Sequence, residues 1–415
     1  MRLIFCHDHR FIVSADGRVF SPGQFGIDTW NHALSFFDEI VIYARRQSAD
    51  LSIEGLTRCD RPLVRFRWMP DLSSPRGLML RPSLLRELVR ELRADDVVLA
   101  RLPSEVGLLV TQAAHRVGAA VAADVVACVW DGLRSHGRTL ARLYAPVAYW
   151  RNRRAIQRAQ FVRYVTNTFL QRRYPTRAPT IVLSDASVVP CDVKEVEAKY
   201  ACAESGPLRC AFIGPLFHKS KGPDVAIRAI AFAHSLGARV SLSVAGPGPQ
   251  QPWSDLAHRL GVGHLVRFSG VLQRGRGVRS FLDAHDVLLL PSRQEGLSRV
   301  ALEAMARGLP VLASTAGGNP EIVPPTDLHR PGDFRALARR IRELDNDRVA
   351  LAQSALWALS RVEAFLPENA EPATVVYWRR LAELRGSTKR TLQRATNSTL
   401  QRFGLGTHRR QADLR

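Results

Sequence analysis

Short apolar runs and helical patterns alternate along the second half of the chain. The apolar runs that predict strands cover 209–213, 239–245, 265–268, 286–290 and 310–313, and the helical patterns cover 223–235, 253–260 and 299–307. Short apolar strands separated by helices indicate a parallel sheet with both faces covered. Gly214, Gly246 and Gly317 follow three of these strands. Glycine-rich turns at strand ends predict a doubly wound α/β fold with a ligand site at the carboxyl ends of its strands.

The first half shows a looser version of the same alternation. Strands are predicted over 2–6, 39–43, 96–99 and 125–129, with a helix over 84–92. A polar segment with scattered Pro and Gly, 185–208, separates the halves, and the pattern after residue 333 is entirely helical. We therefore predict an N-terminal domain over 1–190, a C-terminal domain over 191–365, a helix over 366–385 and a basic flexible tail over 386–415.

The composition of the 415 residues is that of an ordinary globular protein, with 46% hydrophobic and 23% charged residues. No apolar run reaches the roughly 18–20 residues that cross a bilayer, and the best candidate, 117–130, contains Asp124. The first six residues run directly into His7-Asp8-His9-Arg10, which argues against a signal peptide. Six scattered cysteines without a CxxC pair fit a reducing cytoplasm and argue against structural zinc.

The net charge is unusual at +21, and only five of the 59 cationic residues are lysines. A GC-rich genome accounts for most of the preference for arginine over lysine. It does not account for the excess of cations over acids. That excess predicts attraction to an anionic partner, which can be a lipid headgroup, a nucleic acid or a phosphorylated substrate.

Two glutamates stand eight residues apart in the segment DVLLLPSRQEGLSRVALEAMARGLPVLASTAGGNPEIV, which begins at residue 286. If both were helical, Glu295 and Glu303 would lie about 12 Å apart. An acid/base pair at one scissile bond needs about 5–9.5 Å. The spacing suits two anchors that hold different parts of an elongated ligand, with helix N–H groups after Gly296 receiving phosphate oxygens between them. A sugar, a diphosphate and a ribose form such a ligand.

This segment closely resembles the E-x7-E signature of retaining glycosyltransferases with the GT-B fold, family 4 in particular. Three further blocks occur in the family's order: FIGPLFHKSKGPD, VAGPGP and AGGNPEI. The resemblance is detailed over 208–323 and architectural elsewhere. It implies two Rossmann-like doubly wound domains facing a central cleft, with the helix over 366–385 packing back on the N-terminal domain.

The resemblance also implies roles for individual residues. Glu303 matches the carboxylate that binds both ribose hydroxyls, Glu295 the one that holds the transferred sugar, and Lys221 the catalytic cation that neutralises the diphosphate. The remaining donor-binding positions that it implies are Gly214, Lys219, Gly222, Gly246, Gly296 and Leu297. The plain alternatives are two solvated helix carboxylates and a surface lysine. The chain departs from the family at Pro215, where an arginine is usual, and either Lys219 or His218 could replace that cation.

The acceptor side is less clearly marked. The family places a Gly-rich loop after the first strand, and Gly23 and Gly26 in 21–26 are the candidates, displaced by an insertion with a hairpin-like Asp16-Gly17 turn. Asp131 and His136 follow the predicted strand over 125–129 and match polar acceptor-side groups of the family. A helix-capping aspartate and a surface histidine are the alternatives.

Eleven arginines, no lysine and no acid lie between Asp131 and Asp185. Tyr144, Tyr149 and Trp150 stand among them. Cations mixed with interfacial aromatics on a helix predict a surface that binds an anionic membrane. The alternative is a solvated arginine-rich helix whose aromatics pack inward.

Together these features predict a cytoplasmic, retaining, metal-independent glycosyltransferase on the inner face of the membrane. Its donor would be a nucleotide diphosphate sugar, with no further cofactor and no metal. Its acceptor would be a polyprenyl-linked oligosaccharide in exopolysaccharide or surface-glycan synthesis. Two alternatives remain open: a nucleotide-sugar epimerase of the same fold, and a non-catalytic nucleic-acid-binding protein. The second is disfavoured because the arginines accompany no RRM, KH or helix-turn-helix pattern, so no nucleic acid partner is expected.

Overall fold

The protein consists of two α/β domains, each built around its own sheet. The structure is a computed structural model that describes residues 1–21, 25–48, 56–135, 139–186, 188–201, 206–366 and 368–384. Two of the sequence-based candidates, Gly23 and His136, and the tail over 386–415 therefore lie outside the described residues. No helix in the described segments is both long enough and apolar enough to cross a membrane.

The described residues of the N-terminal domain form nine strands in one sheet. In chain order its elements are β1 Arg2–Val13, β2 Val19–Ser21, α1 Ile27–Leu34, β3 Glu39–Ser48, β4 Thr57–Arg58, β5 Val64–Met69, α2 Pro75–Glu91, β6 Val97–Leu102, α3 Glu105–Val117, β7 Ala120–Val125, α4 Val129–Ser135, α5 Thr139–Arg158, β8 Phe161–Tyr164, α6 Phe169–Arg173 and β9 Thr180–Val182. The parallel part has the order β5-β3-β1-β6-β7-β8-β9, and β2 and β4 extend the end of β1 in antiparallel fashion.

The C-terminal domain contains a six-stranded parallel sheet with the order β12-β11-β10-β13-β14-β15. Its elements are α7 Val193–Ala201, β10 Leu208–Ile213, α8 Pro223–Ser235, β11 Val240–Ala245, α9 Gln251–Arg259, β12 Val266–Gly270, α10 Arg276–Asp283, β13 Val287–Leu290, α11 Arg299–Ala306, β14 Val311–Ser314, β15 Leu328–His329, α12 Phe334–Asn346 and α13 Arg348–Arg361. A final helix, α14, covers 368–384. The predicted doubly wound α/β fold is confirmed, because helices cover an all-parallel sheet.

Two local predictions for the N-terminal domain are corrected. The predicted strand over 125–129 is wrong: β7 ends at Val125, and helix α4 begins at Val129. Strand β1 does not stop at residue 6 but continues to Val13, so its polar residues lie within the sheet. The hairpin-like turn is confirmed, since Ile12 pairs with Phe20 across it and Gly17 has a φ of +82°.

Helix α14 packs against the N-terminal domain although the whole C-terminal domain precedes it. Tyr377, Trp378 and Leu381 are buried in one apolar cluster with Leu3 and Phe161 of β1 and β8. The chain therefore crosses between the domains twice.

Candidate active site

A cleft of about 1080 Å³ lies between the two domains at the carboxyl ends of the central strands of both sheets. Seven of the sequence-predicted residues line it, namely Gly214, Lys221, Gly246, Glu295, Gly296, Leu297 and Glu303. The N-terminal domain contributes His7, Arg101 and Asp185 to the opposite wall. The cleft thus collects the predicted donor-binding groups at one place, as expected at the switch points of doubly wound sheets.

Lys221 and Glu295 form a direct ion pair in this cleft. The Lys221 Nζ donates to Glu295 Oε1 at 2.7 Å and to Oε2 at 2.8 Å. Ser292 Oγ also donates to Oε1 at 2.7 Å, and the Glu295 side chain is only 4% exposed. The sequence placed these two residues on different parts of a ligand. In the structure each neutralises the other, so a ligand that takes either one must compete with this pair.

Close backbone packing holds the two loops of this pair together. A β-carbon at Gly222, whose φ is +78°, would lie 2.2 Å from the Pro291 carbonyl oxygen. Only glycine allows this approach, because L-residues avoid positive φ and the added atom would clash. Gly222 thereby brings Lys221 against the loop that follows β13. Lys219 does not line the cleft, and its carbonyl oxygen accepts a 2.7 Å hydrogen bond from Arg293.

Glu303 lies inside helix α11, as predicted, and faces the cleft from its wall. Burial raises its pKa, although the charges of Arg299, Arg274 and Arg279 oppose that shift. Within the described residues, none of these three arginines forms an ion pair with an acidic side chain. This end of the cleft therefore carries more positive than negative charge. The helix itself is capped by Ser298, whose Oγ accepts from the Ala301 N–H, and not by Gly296.

Residue 215, where the family usually has an arginine and this chain has a proline, also lines the cleft. Pro215 and His218 line it, and His218 Nδ1 shares a 2.7 Å hydrogen bond with Ser220 Oγ. Of the two candidate replacements, only His218 therefore faces the cleft.

The N-terminal wall contains a buried network of two arginines and two aspartates that sequence reasoning missed. Arg101 Nη1 bonds to Asp124 at 2.6 Å, and Arg163 Nε bonds to the other Asp124 oxygen at 2.5 Å. Both arginines also bond to Asp185. Burial opposes ionisation of Asp185, but the two guanidinium charges outweigh it and lower its pKa. The signal for this network in the sequence is one charged residue inside each of three apolar strands: Arg101 in β6, Asp124 in β7 and Arg163 in β8.

His7 lies beside this network at the cleft surface. Burial, and then the charge of Arg101, lower its pKa well below the usual value. His7 is therefore neutral at physiological pH and can both donate and accept a hydrogen bond. The charges of Arg101, Arg163, Asp124 and Asp185 on this N-terminal wall balance one another. The C-terminal wall around Glu303 instead carries an excess of positive charge.

The two other N-terminal candidates that the structure describes, Asp131 and Gly26, are not among the residues that line the cleft. Asp131 is in the first turn of α4 and pairs with Arg173 at 3.5 Å. Gly26 caps helix α1, and a β-carbon there would lie 2.7 Å from Thr57 Cγ2. In the described residues, no group of three or more His, Cys, Asp or Glu is arranged to hold a metal ion.

Comparison with known proteins agrees with this architecture. Residues 207–347 match the family model described as "Glycosyl transferases group 1". Protein CapJ of Staphylococcus aureus is 26% identical over 343 residues, which cover 82% of this chain and 85% of CapJ. The 2-deoxystreptamine glucosyltransferase of Streptomyces kanamyceticus is 32% identical over 40% of this chain, and the match spans 44% of that relative.

Two solved structures share the fold across nearly the whole chain. Sucrose-phosphate synthase from Thermosynechococcus elongatus superposes with a TM-score of 0.64 at 17% identity, covering 95% of this chain and all of that one. Anabaena HepE, in complex with UDP and glucose, has a TM-score of 0.61 at 19% identity over 93% of this chain and all of its own. Residues 207–347 of the C-terminal domain thus match the group 1 glycosyl transferase model, and the chain as a whole has the GT-B fold.

Proposed function

We propose that the protein transfers a sugar from a nucleotide diphosphate donor to a glycan hydroxyl with retention of configuration. The observation that carries this proposal is the Lys221–Glu295 pair in a cleft that also presents Glu303. When a donor binds, Lys221 exchanges its carboxylate partner for the diphosphate, and Glu295 becomes available to the sugar hydroxyls. Glu303 holds the ribose. Complexes of the related fold of HepE with UDP and with UDP-glucose make a uridine donor the first candidate.

The chemistry that these groups support is a front-face displacement. The bond between the sugar anomeric carbon and the diphosphate oxygen breaks, and the acceptor oxygen bonds to the same face of that carbon. The acceptor proton passes to the departing diphosphate oxygen. Lys221 stabilises the negative charge that grows on this oxygen, so its contribution is greater in the transition state than in the ground state. No metal or further cofactor takes part in the proposed reaction.

The acceptor is proposed to be a polyprenyl-linked oligosaccharide of a surface glycan, reached at the inner face of the membrane. WaaG, a glycosyltransferase involved in lipopolysaccharide biosynthesis, shares the fold with a TM-score of 0.57 over 90% of this chain. A lipid-linked acceptor requires the enzyme to approach a bilayer. The outer surface of the N-terminal domain has the properties for this.

Helices α2 and α5 each expose apolar side chains, and we call the two sets together the α2–α5 surface. Its members are Leu78, Met79, Leu80, Leu140, Leu143, Val147 and Trp150. The α5 members recur every three or four residues, so they lie on one helix face. Glu105 joins the two helices, because it bonds to Arg81 of α2 and to Arg151 of α5. Arg154 stacks over Trp150 at 5.1 Å.

One part of the sequence interpretation of this region changes. Tyr149 was grouped with the interfacial aromatics, but it packs inward: its hydroxyl donates to the Arg173 carbonyl oxygen at 2.5 Å, and its ring contacts Trp130 and Tyr174. Arg163 is likewise part of the buried network. Tyr144 remains exposed on α5, and its hydroxyl donates to Glu105 at 3.2 Å. The α2–α5 surface therefore relies on Trp150, Tyr144 and aliphatic side chains, with Arg142, Arg153 and Arg154 as its basic residues.

A screen of UDP-, GDP- and dTDP-sugars for thermal stabilisation tests the donor, because a bound ligand raises the melting temperature by mass action. Product analysis with the stabilising donor alone then separates transfer from epimerisation, which needs no acceptor. Salt-dependent RNA binding without any donor effect would instead support the nucleic-acid-binding alternative. A UDP-sugar that raises the melting temperature of the wild-type chain, and raises that of Glu303→Gln less at the same concentration, is the expected result.

Co-sedimentation with vesicles tests the membrane part. Each cation near an anionic leaflet contributes about 1 kcal/mol, and salt screens this attraction over about 8–10 Å. We expect binding to anionic but not zwitterionic vesicles, a reduction by Arg142→Gln with Arg153→Gln and Arg154→Gln, and a separate reduction by Leu143→Ser with Trp150→Ser. Equal binding to both vesicle types, or none to either, would contradict the proposed membrane contact.

A further inference from the structure

One carboxylate of the C-terminal domain is bonded entirely to the N-terminal domain. Glu321 is the next-to-last residue of the AGGNPEI block and lies in a short helical turn, Asn319–Glu321. Its carboxylate accepts from the backbone N–H groups of Asn167 at 2.5 Å, Thr168 at 3.0 Å and Phe169 at 2.8 Å. It also accepts from Thr168 Oγ1 at 3.0 Å. Four hydrogen bonds therefore join this side chain to the segment that connects β8 to α6.

The same turn packs on the loop that carries Glu295. The Gly318 N–H donates to the Gly296 carbonyl oxygen at 2.7 Å. A β-carbon at Gly317, whose φ is +62°, would lie 2.3 Å from the Glu295 carbonyl oxygen. The N-terminal domain touches this loop from the other side, since a β-carbon at Gly296 would lie 2.0 Å from the Val126 carbonyl oxygen. The Glu295 loop is thus enclosed between the Glu321 turn and the N-terminal domain.

We propose that Glu321 is a positioning residue that couples the contact between the domains to the placement of Glu295. The inference rests on the role of Glu295 in the proposed function. A carboxylate suits the four donors because both of its oxygens only accept. In Glu321→Gln one of these oxygens becomes an NH₂ group that faces backbone N–H groups. The Glu321 main-chain oxygen is bonded separately, to Arg361 at 3.1 Å, so the side chain can be changed without removing that contact.

Hydrogen exchange at residues 167–169 tests the interdomain contact directly, because exchange of a bonded amide requires local opening. We expect these amides to exchange at least about tenfold faster in Glu321→Gln than in the wild-type chain. Glu321→Asp keeps both acceptor oxygens and should restore part of the protection. The matched control is Glu343→Gln, an exposed glutamate bonded to Arg340, which should leave these amides unchanged. Unaltered exchange in Glu321→Gln would overturn the proposal.

Steady-state kinetics test the coupling. Misplacement of a reacting group by about 1 Å can cost 10²-fold in rate, so we expect kcat of Glu321→Gln to fall at least about tenfold. The affinity for UDP should stay within about threefold, because Lys221 lies in the turn before α8 and Glu303 lies inside helix α11, both outside the Glu295 loop. A residue that only supports the fold would change both quantities or neither, and either of those outcomes would overturn the proposal.

The two readouts also separate this inference from the proposed function. If no sugar transfer is found with any donor, the proposed function fails, and exchange at 167–169 still decides whether Glu321 holds the domains together. If transfer is found and exchange rises without any loss of kcat, Glu321 is an interdomain contact alone and the positioning role is wrong.

Discussion

The two walls of the cleft differ in how far their charges are neutralised by partners within the protein. On the N-terminal wall, Arg101 and Arg163 share two aspartates, and all four charges are neutralised within the protein. On the C-terminal wall, Lys221 has one ion-pair partner, Glu295. Arg274, Arg279 and Arg299, which surround Glu303, form no ion pair with the acidic side chains that the structure describes. The four charges of the N-terminal wall hold one another in a closed network, whereas Lys221 has a single carboxylate partner that a ligand could replace. Under the proposed function, the C-terminal wall exchanges charge partners when the donor binds and the N-terminal wall does not.

The largest expected effect comes from breaking the N-terminal network. Arg163→Met removes one member and leaves the buried Asp124 with a single cationic partner. Removing one partner of a buried ion pair typically costs about 3–5 kcal/mol, and urea unfolding should show a loss of that size. Arg158→Met changes an exposed arginine and should cost far less. A loss below about 1 kcal/mol in Arg163→Met would mean that the wall is not held by these charges.

Lys221→Ala should have the next largest effect, on catalysis. The ammonium stabilises charge that appears as the diphosphate leaves, so kcat should fall by about 10²-fold or more. Lys219→Ala is the matched control, because Lys219 is two residues away and outside the cleft lining. If Lys219→Ala does the greater damage, the phosphate ligand is Lys219 and the loop exchanges its partners differently from our proposal.

Glu303→Gln should weaken donor binding by about tenfold or more while the chain stays folded. The substitution keeps the shape of the side chain but removes charge-assisted hydrogen bonds to the ribose, each worth about 1.5–3 kcal/mol. Titration calorimetry with UDP measures the effect, with Glu343→Gln as the control. Unchanged UDP affinity would remove Glu303 from the donor site.

The smallest expected effect is a pH dependence of stability that comes from His9 in strand β1 of the N-terminal domain. Burial, and then the charge of Arg101, lower the pKa of His9 to about 4 from an ordinary value of 6.5. The unfolded chain therefore binds the proton first, and stability is lost as the pH falls from 6.5 towards 4, by up to about 1.4 kcal/mol per pH unit.

Urea unfolding between pH 7.5 and 5 measures this slope. His9→Gln should reduce it, and His234→Gln, at an exposed histidine, should leave it unchanged. Because burial also lowers the pKa values of His7, His115, His285 and His329, the difference between the variant and the wild-type chain is the quantity to compare. Equal slopes in His9→Gln and wild type would show that His9 is protonated without cost in the folded protein.

The C-terminal wall of the cleft could be predicted from the sequence because most residues that form it are close together along the chain. Short apolar strands that end in glycine turns fix the strand ends, and β10 begins within one residue of its predicted start. Glu295 and Glu303 belong to one strand–loop–helix unit, so their placement in the loop and in the helix follows from their spacing. The ion pair between Glu295 and Lys221 does not follow from this spacing. Lys221 is 74 residues from Glu295, and no local signal indicates their contact.

The N-terminal wall of the cleft was harder to predict because its contacts join residues that are distant along the chain. Residues 117–130 are almost continuously apolar, so no polar residue marks where β7 ends, and the strand was misplaced by several positions. The polar residues after position 6 suggested a strand end, yet β1 continues because β3 pairs with Arg10–Val13 and β2 pairs with Ile12 and Val13. The arginine–aspartate network joins residues up to 84 positions apart. Only the charges inside apolar strands hinted at it.

The position of α14 has a consequence for how the protein is made. Tyr377, Trp378 and Leu381 complete the apolar core of the N-terminal domain, and the Tyr377 ring lies 5.4 Å from the Arg163 guanidinium. Domains generally fold in the order in which the ribosome releases them. Here the domain that emerges first stays unfinished while the entire C-terminal domain is synthesised. The nascent N-terminal domain must therefore hold an uncovered apolar groove beside Arg163 until α14 leaves the ribosome, and this interval is when the young chain is most exposed to chaperones and to aggregation.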